Sequence, residues 1–140
     1  MVKLVSIWWI LAAFALGGCT NNTGGTPPVT ASTAQTGEHK KITAEEAKRM
    51  MDGSKTFILL DVRTEEEFME KRIDGALLIP DYEIKERAEA ELPDKGAHIM
   101  IYCRSGRRSA QAAKELADMG YTNIYDFGGI IDWPFETVGE

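Results

Sequence analysis

The hydrophobic positions in the second part of the chain form short runs that alternate with helical patterns. Residues 57–60 and 99–102 are continuous apolar runs of strand length, as is typical of strands buried on both faces of a parallel sheet. Shorter runs at residues 76–80 and 123–125 indicate two further strands, and residues 41–42 indicate a short strand at an edge. The pattern therefore predicts an α/β fold with a sheet of about five mostly parallel strands.

Start and stop signals predict the helices that connect these strands. Two helical segments begin with a capping box, in which a threonine is followed three residues later by a glutamate. The predicted starting residues of the four helices are Thr43, Thr64, Asp81 and Ser109. The fourth helix places small residues on its buried face and stops at Gly120. Because strands and helices alternate, we expect helices on both faces of the sheet, in three layers.

The beginning of the chain has a different composition. Residues 1–37 contain one charged side chain, Lys3, whereas all 22 acidic residues lie beyond them. Lys3, the apolar run at residues 4–16 and the small residues before Cys19 predict an export signal, since the run is shorter than the roughly 18 residues of a membrane span. The segment resembles a bacterial lipobox, which implies that residues 1–18 are a signal peptide and that Cys19 is lipidated. Ordinary secretory cleavage, with Cys19 as a spare thiol, is the alternative.

A polar segment separates this signal from the rest of the chain. Residues 20–37 are rich in threonine, asparagine, glycine and proline and carry no charge, so they cannot bury a core. We therefore expect a flexible tether over residues 19–40. Together with a lipid on Cys19, it would hold the following domain at a membrane of the bacterial cell envelope, facing the periplasm or the cell exterior.

One loop carries the candidate chemistry. Cys103 directly follows the apolar run 99–102, which places the thiol at the carboxyl edge of the sheet, where ligands bind in α/β folds. Three arginines lie within six residues of it, although the chain has a net charge of −6. A central glycine allows backbone N–H groups to turn toward an anion, and these surroundings favour a thiolate. The candidate anion-binding residues are Arg104, Ser105, Gly106, Arg107, Arg108 and Ser109.

The seven residues from Cys103 to Ser109 resemble the active-site loop of the rhodanese (thiosulfate sulfurtransferase) family. Shorter matching motifs stand in the expected order on both sides of the loop, and the likeness spans residues 41–134. They include residues 60–63, at the end of a predicted strand, and the pair Gly128-Gly129, which we expect to form a terminal turn.

This resemblance implies a single rhodanese-like domain over residues 41–140 with sulfurtransferase activity. Cys103 would take a sulfane sulfur from an anionic donor such as thiosulfate, hold it as a persulfide, and pass it to cyanide or a thiol. The loop residues from Arg104 to Ser109 would bind the substrate, although a structural role remains open for Arg108. The reaction needs no cofactor.

Two other functions remain open. Phosphatases and arsenate reductases on related folds use a cysteine against tetrahedral oxyanions, with an arginine at the sixth position after it. Here that position is Ser109, and Arg108 comes one place early, which predicts a tighter cradle suited to a sulfur atom. A non-catalytic binding module is the other alternative, but such a module has no use for the Cys103 thiol.

The remaining polar residues predict no further site. Asp61 and Arg63 could take a catalytic role, but we interpret them as a structural ion pair or a hydrogen-bonded strand end, because perturbed ionic networks are frequently structural. His39 and His98 have no cysteine or histidine partners at metal-ligand spacing, so no metal site is predicted. We expect neither an internal disulfide nor a nucleic-acid partner.

Overall fold

A five-stranded sheet forms the centre of the computed structural model, which describes residues 37–54 and 56–140. The strand order is β1-β5-β4-β2-β3, and every pair of neighbouring strands is parallel. The strands are β1 (His39–Lys41), β2 (Ile58–Asp61), β3 (Leu77–Leu78), β4 (His98–Cys103) and β5 (Asn123–Gly129). The predicted sheet is confirmed, and the predicted short strand is at one of its edges, although it covers His39–Lys41 and not residues 41–42.

Four α-helices connect the strands: α1 (Ala44–Gly53), α2 (Glu65–Glu70), α3 (Ile84–Glu91) and α4 (Arg107–Asp118). The first two begin with the predicted capping boxes. In each, the threonine hydroxyl accepts a hydrogen bond from the backbone of the glutamate, whose carboxylate accepts one from the backbone of the threonine. These two starts are confirmed, because a capping box satisfies two backbone donors with local side chains alone.

The predicted starts of the other two helices are wrong. Asp81 makes no side-chain cap and lies in a 3₁₀ turn over Asp81–Glu83, after which α3 begins at Ile84. α4 begins two residues before Ser109, because the N-cap is Gly106, whose carbonyl accepts the first helical hydrogen bond from Ala110 N–H at 3.2 Å. Two of the arginines assigned to the loop are therefore in the first turn of α4.

Strand β5 is longer than predicted. The expected terminal turn at Gly128-Gly129 is the end of this strand, and a 3₁₀ turn follows over Ile130–Asp132. The ladder between β4 and β5 is irregular between Ile101 and Cys103, after which Cys103 pairs with Gly129. The strand therefore continues until it lies beside the Cys103 loop.

The core has one cluster on each face of the sheet, and β4 contributes to both. Ile101 and Cys103 pack in the cluster that includes Leu116 of α4, whereas Met100 and Tyr102 pack in the cluster that contains α1 residues and aromatic side chains. Residues 99–103 are all at most 1% exposed. β4 is therefore buried on both faces, and the predicted three-layer arrangement is confirmed.

The predictions for the beginning of the chain fall largely outside the described residues. They concern the signal peptide at residues 1–18, lipidation of Cys19 and most of the tether at residues 19–40. Within residues 37–54 and 56–140, no helix is long and apolar enough to cross a membrane.

Candidate active site

Cys103 ends the central strand of the sheet. β4 lies between β2 and β5, so the following loop leaves from the middle of the carboxyl edge. The residue is only 1% exposed, and its Sγ accepts a hydrogen bond from the Gly106 backbone N–H, with an N···S distance of 3.0 Å. The loop therefore folds back over the sulfur and covers most of it.

A left-handed residue makes this turn possible. Gly106 has a φ of +94°, a conformation that residues with a Cβ rarely adopt. A Cβ at this position would also lie 3.3 Å from Gly128 Cα. The close approach and the positive φ both require glycine, and together they bring the Gly106 N–H to the sulfur.

Gly129 lies directly under the loop backbone. It pairs with Cys103 across the ladder between β4 and β5. A Cβ at Gly129 would lie 2.3 Å from the carbonyl oxygen of Arg104 and 2.7 Å from Ser105 Cα, closer than packed atoms approach. The absence of this side chain lets β5 support the first two loop residues at contact distance.

The first turn of α4 adds further backbone donors. The N–H groups of Arg107, Arg108 and Ser109 precede the first intrahelical hydrogen bond, so they have no acceptor within the helix. The N-terminal end of this 12-residue helix carries a positive partial charge. Together with the Gly106 N–H, these groups create surroundings that favour an anion.

The Ser109 hydroxyl is occupied within the protein. Its Oγ donates to the carboxylate of Asp126 at 2.7 Å, and the carbonyl oxygens of Gly106 and Gly128 lie 3.1 and 3.3 Å from it. The same carboxylate oxygen accepts from the Gly128 N–H at 3.0 Å. Asp126 thus connects α4 to the end of β5. The substrate-binding role of Ser109 stays a prediction. Because the hydroxyl is already bonded, the backbone N–H of Ser109 would have to bind the substrate.

The three arginines have different environments. Arg108 forms two parallel hydrogen bonds with the Glu67 carboxylate, at 2.8 and 2.9 Å, and both side chains are about four-fifths buried, at 19% and 24% exposed. Arg104 and Arg107 are exposed and form no ion pair with any residue that the structure describes. Two of the three guanidinium groups therefore remain available to a ligand, while Arg108 ties α4 to α2.

Electrostatics stabilise the pair in its charged form. The hydrogen bonds from Arg108 are the main cause that lowers the pKa of Glu67 below its usual range. Conversely, the hydrogen bond to Glu67 is the main cause that raises the pKa of Arg108, and the nearby Cys103 and Asp81 add to it. The structural role left open for Arg108 is thus the one that its geometry favours.

The whole of this site lies within the region that matches a known family. The model of the rhodanese-like domain matches residues 43–134, which is most of the part of the chain that the structure describes. The chain belongs to the rhodanese-like domain family.

Relatives of this rhodanese-like domain include named sulfurtransferases. Thiosulfate sulfurtransferase PspE of Escherichia coli (strain K12) is 41% identical over 73 residues, which are 52% of this chain and 70% of that protein. A sulfurtransferase of Allochromatium vinosum is 36% identical over 94 residues, or 66% of this chain and 86% of that protein. A solved structure described as a rhodanese with anions, from E. coli, is 37% identical with a TM-score of 0.56 and covers 59% of this chain and 98% of that chain.

Asp61 and Arg63 form the predicted ion pair at the carboxyl end of β2 in the rhodanese-like domain. Arg63 Nη2 lies 2.7 Å from Asp61 Oδ2, and the same guanidinium also donates to the Lys71 carbonyl oxygen. Burial lowers the pKa of Arg63, but the hydrogen bonds and charge of Asp61 outweigh this and raise it. The pair joins the end of β2 to the end of α2, as expected for a structural role.

Two functional features had no strong signal in the sequence. Asp126 was missed as a support of the loop, although a carboxylate directly after a predicted strand was a usable clue. The partner of Arg108, Glu67, lies 41 residues away and was assigned only to a capping box. No group of three metal-ligating side chains occurs among the residues that the structure describes.

Proposed function

We propose that this rhodanese-like domain is a sulfurtransferase that moves a sulfane sulfur from an anionic donor such as thiosulfate to cyanide or a thiol. The observation that carries the proposal is the backbone hydrogen bond from Gly106 to Cys103 Sγ, at 3.0 Å, inside a loop lined with further N–H donors. Relatives named as thiosulfate sulfurtransferase and sulfurtransferase support the same activity, and they imply small sulfur compounds as substrates.

In the first half of the reaction, the Cys103 thiolate attacks the outer sulfur of thiosulfate. The bond between the two sulfur atoms of the donor breaks, its electron pair leaves with sulfite, and Cys103 becomes a persulfide. The Gly106 N–H and the first-turn N–H groups of α4 stabilise the anionic sulfur. Arg104 and Arg107 attract the donor's oxygens by charge-assisted hydrogen bonds.

In the second half, the acceptor attacks the outer sulfur of the persulfide. The bond between this sulfur and Sγ breaks, and its electron pair returns to Cys103 as the thiolate. Sulfite and the regenerated thiolate both leave as anions, so neither half requires a general base. The buried carboxylates of Asp61 and Asp126 are held in structural hydrogen bonds, which is consistent with this chemistry.

The loop geometry disfavours the phosphatase alternative. Only three residues separate Cys103 from the first residue of α4, and the Gly106 N–H already lies 3.0 Å from the sulfur. A phosphoryl group would have to place its three oxygens inside the loop, whereas sulfur transfer brings only the outer sulfur of the donor to Cys103 and leaves the donor's oxygens to Arg104 and Arg107. The arginine nearest to the phosphatase position, Arg108, is held by Glu67.

The test is turnover with two competing substrate classes. We expect thiocyanate formation from thiosulfate and cyanide, much slower hydrolysis of an aryl phosphate, and no thiocyanate formation by a folded Cys103→Ser variant. The serine hydroxyl is far less ionised than an activated thiol. Efficient phosphatase activity, or retained sulfur transfer by Cys103→Ser with a native circular dichroism spectrum, would overturn the proposal.

We also propose that the domain is exported and anchored to a membrane of the bacterial envelope by a lipid on Cys19. Support comes from the charge, apolar run and small residues of positions 1–19. Expression in a bacterium with a radiolabelled fatty acid tests it: the wild-type chain should incorporate label and Cys19→Ser should not. Equal labelling of both would refute lipidation of Cys19.

A further inference from the structure

A small pocket opens beside the Cys103 loop. Its volume is about 240 Å³, and its walls come from the loop, from α2 and the residues after it, and from the turn after β5. Arg104, the residue next to Cys103, forms part of the lining. The Arg104 carbonyl oxygen also accepts a hydrogen bond from the Ile131 N–H at 3.3 Å, which joins the turn after β5 to the loop. The pocket therefore reaches the residue next to Cys103, although Cys103 itself is not among its lining residues.

A buried guanidinium group contributes an unused donor to this pocket. Arg63 lines it and is only 3% exposed. Its Nε and Nη2 donate to Asp61 and to the Lys71 carbonyl, but Nη1 makes no hydrogen bond with any residue that the structure describes. Among those residues, no fully buried side-chain nitrogen or oxygen lacks a partner, so Nη1 is not sealed in the core. Since Arg63 lines the pocket, Nη1 is the guanidinium nitrogen that remains for an occupant.

The free charges around the pocket favour an anion. Arg104 and Lys71 line it and form no ion pair among the described residues. Of the two lining carboxylates, Glu67 is neutralised by Arg108, which leaves Glu70 as an unpaired acidic group on an exposed residue. The pocket is therefore lined by two free cations and one free guanidinium nitrogen, against one free carboxylate, in a chain whose net charge is −6. The free Arg63 Nη1 can donate a charge-assisted hydrogen bond to a carboxylate oxygen.

The pocket also has an apolar side and a small size. Ile130 and Ile131 line it, and Ile131 is 63% exposed. A volume of about 240 Å³ is below the roughly 300–1,000 Å³ of drug-sized ligand sites. The occupant therefore has a few carbon atoms and one anionic group. Thiosulfate does not fit this description, because it contains no carbon and has no apolar part.

We propose that the pocket is a subsite for the sulfur acceptor, and that the acceptor is a small thiol bearing a carboxylate. This inference rests on the proposed sulfurtransferase function. The acceptor's carboxylate contacts Arg63 Nη1 and the free cations, while its thiolate attacks the outer sulfur of the Cys103 persulfide. The bond between that sulfur and Sγ breaks, its electron pair returns to Cys103, and the acceptor leaves as its own persulfide.

The experiment compares two acceptors of similar size on protein preloaded with thiosulfate. Mercaptoacetate carries the carboxylate, and 2-mercaptoethanol replaces it with a neutral hydroxyl. Ile131→Glu adds a negative charge at an exposed position of the pocket, and Ile131→Gln is the matched variant without charge. For each acceptor, the KM of Ile131→Glu is divided by the KM of Ile131→Gln. This ratio does not depend on the different intrinsic reactivities of the two thiols.

We expect Ile131→Glu, relative to Ile131→Gln, to raise KM for mercaptoacetate by about two- to five-fold at low ionic strength, as partly exposed charges do. The ratio for 2-mercaptoethanol should stay near one. Glu70→Gln should act in the opposite direction and lower KM for mercaptoacetate alone. In every variant, removal of the persulfide sulfur by cyanide shows that the first half-reaction has formed the persulfide.

Equal responses of the two thiols to Ile131→Glu, with persulfide formation and cyanide discharge unchanged, would overturn the acceptor subsite and leave the sulfurtransferase proposal standing. Failure of the wild-type protein to form a persulfide would instead overturn the proposed function, and the subsite with it.

Discussion

Replacing Gly129 with alanine adds one methyl group beneath the Cys103 loop. The new Cβ would lie 2.3 Å from the Arg104 carbonyl oxygen and 2.7 Å from Ser105 Cα. Real Cβ contacts are essentially never shorter than 3.0 Å, so the first contact must open by 3.0 − 2.3 = 0.7 Å. Both neighbours are backbone atoms, which cannot rotate away as a side chain can. The loop must therefore move relative to β5.

The size of the effect follows from this displacement. Overpacking of a close-packed region costs about 1–3 kcal/mol, less than the roughly 5–15 kcal/mol that stabilises a typical domain, so the variant should remain folded. A misplacement of about 1 Å at a reacting group costs about 10²-fold in rate. Since Arg104 directly follows Cys103, we expect Gly129→Ala to lower kcat/KM for thiosulfate by about 10²-fold.

The assay is thiocyanate formation alongside thermal unfolding, with Gly53→Ala as the control. Gly53 ends α1, and a Cβ there meets no atom within 4 Å, so the same chemical change should leave activity at the parental value. If Gly129→Ala turned over thiosulfate as fast as Gly53→Ala, the position of the loop on β5 would not matter for the chemistry, and the reasoning would be wrong.

Two further predictions concern the charges around the site. Glu67→Gln should lower the free energy of unfolding by about 1–2 kcal/mol at neutral pH, a value between those of exposed and fully buried ion pairs. Glu65→Gln in the same helix should lower it by less. Because the pKa of Glu67 is lowered by Arg108, this stability is present above its ordinary value of about 4.3 and is lost as the pH falls through the folded pKa. The difference between Glu67→Gln and wild type should therefore shrink in acid, and a constant difference in chemical denaturation would contradict the ion pair. Arg104→Ala and Arg107→Ala should each lower kcat/KM for thiosulfate, most at low ionic strength, with sulfur loss to cyanide less affected; parental rates at low salt would show that backbone amides bind the donor alone.

The parts of the fold that local interactions determine were predictable from the sequence. The capping boxes of α1 and α2 use side chains three residues apart, and the buried strands β2 and β4 are continuous apolar runs. The starts of α3 and α4 were not predictable in this way. Asp81 and Ser109 are good capping residues, but the N–H of Asp81 donates to the Val62 carbonyl oxygen and the hydroxyl of Ser109 donates to Asp126 in β5. Tertiary contacts replaced the local preference in both helices.

Strand β5 shows the same limit at the site itself. Asp126, Gly128 and Gly129 are typical of turns, so the sequence predicts that the strand ends before them. In the structure the carboxylate is buried against Ser109, Gly128 has a φ of +91°, and Gly129 allows close approach of the loop. The identity of the loop and of Cys103 as the candidate nucleophile could be recognised from consecutive residues. The different roles of the three arginines could not be recognised in this way, because the partner of Arg108 lies 41 residues away in the sequence.

The most direct test of the account is the intact mass of the protein after incubation with thiosulfate. We predict a gain equal to one sulfur atom, located on Cys103 by peptide mapping, removed by cyanide and absent from Cys103→Ser. A wild-type protein that releases sulfite without gaining sulfur, or that gains no sulfur at saturating thiosulfate, would contradict transfer through a Cys103 persulfide.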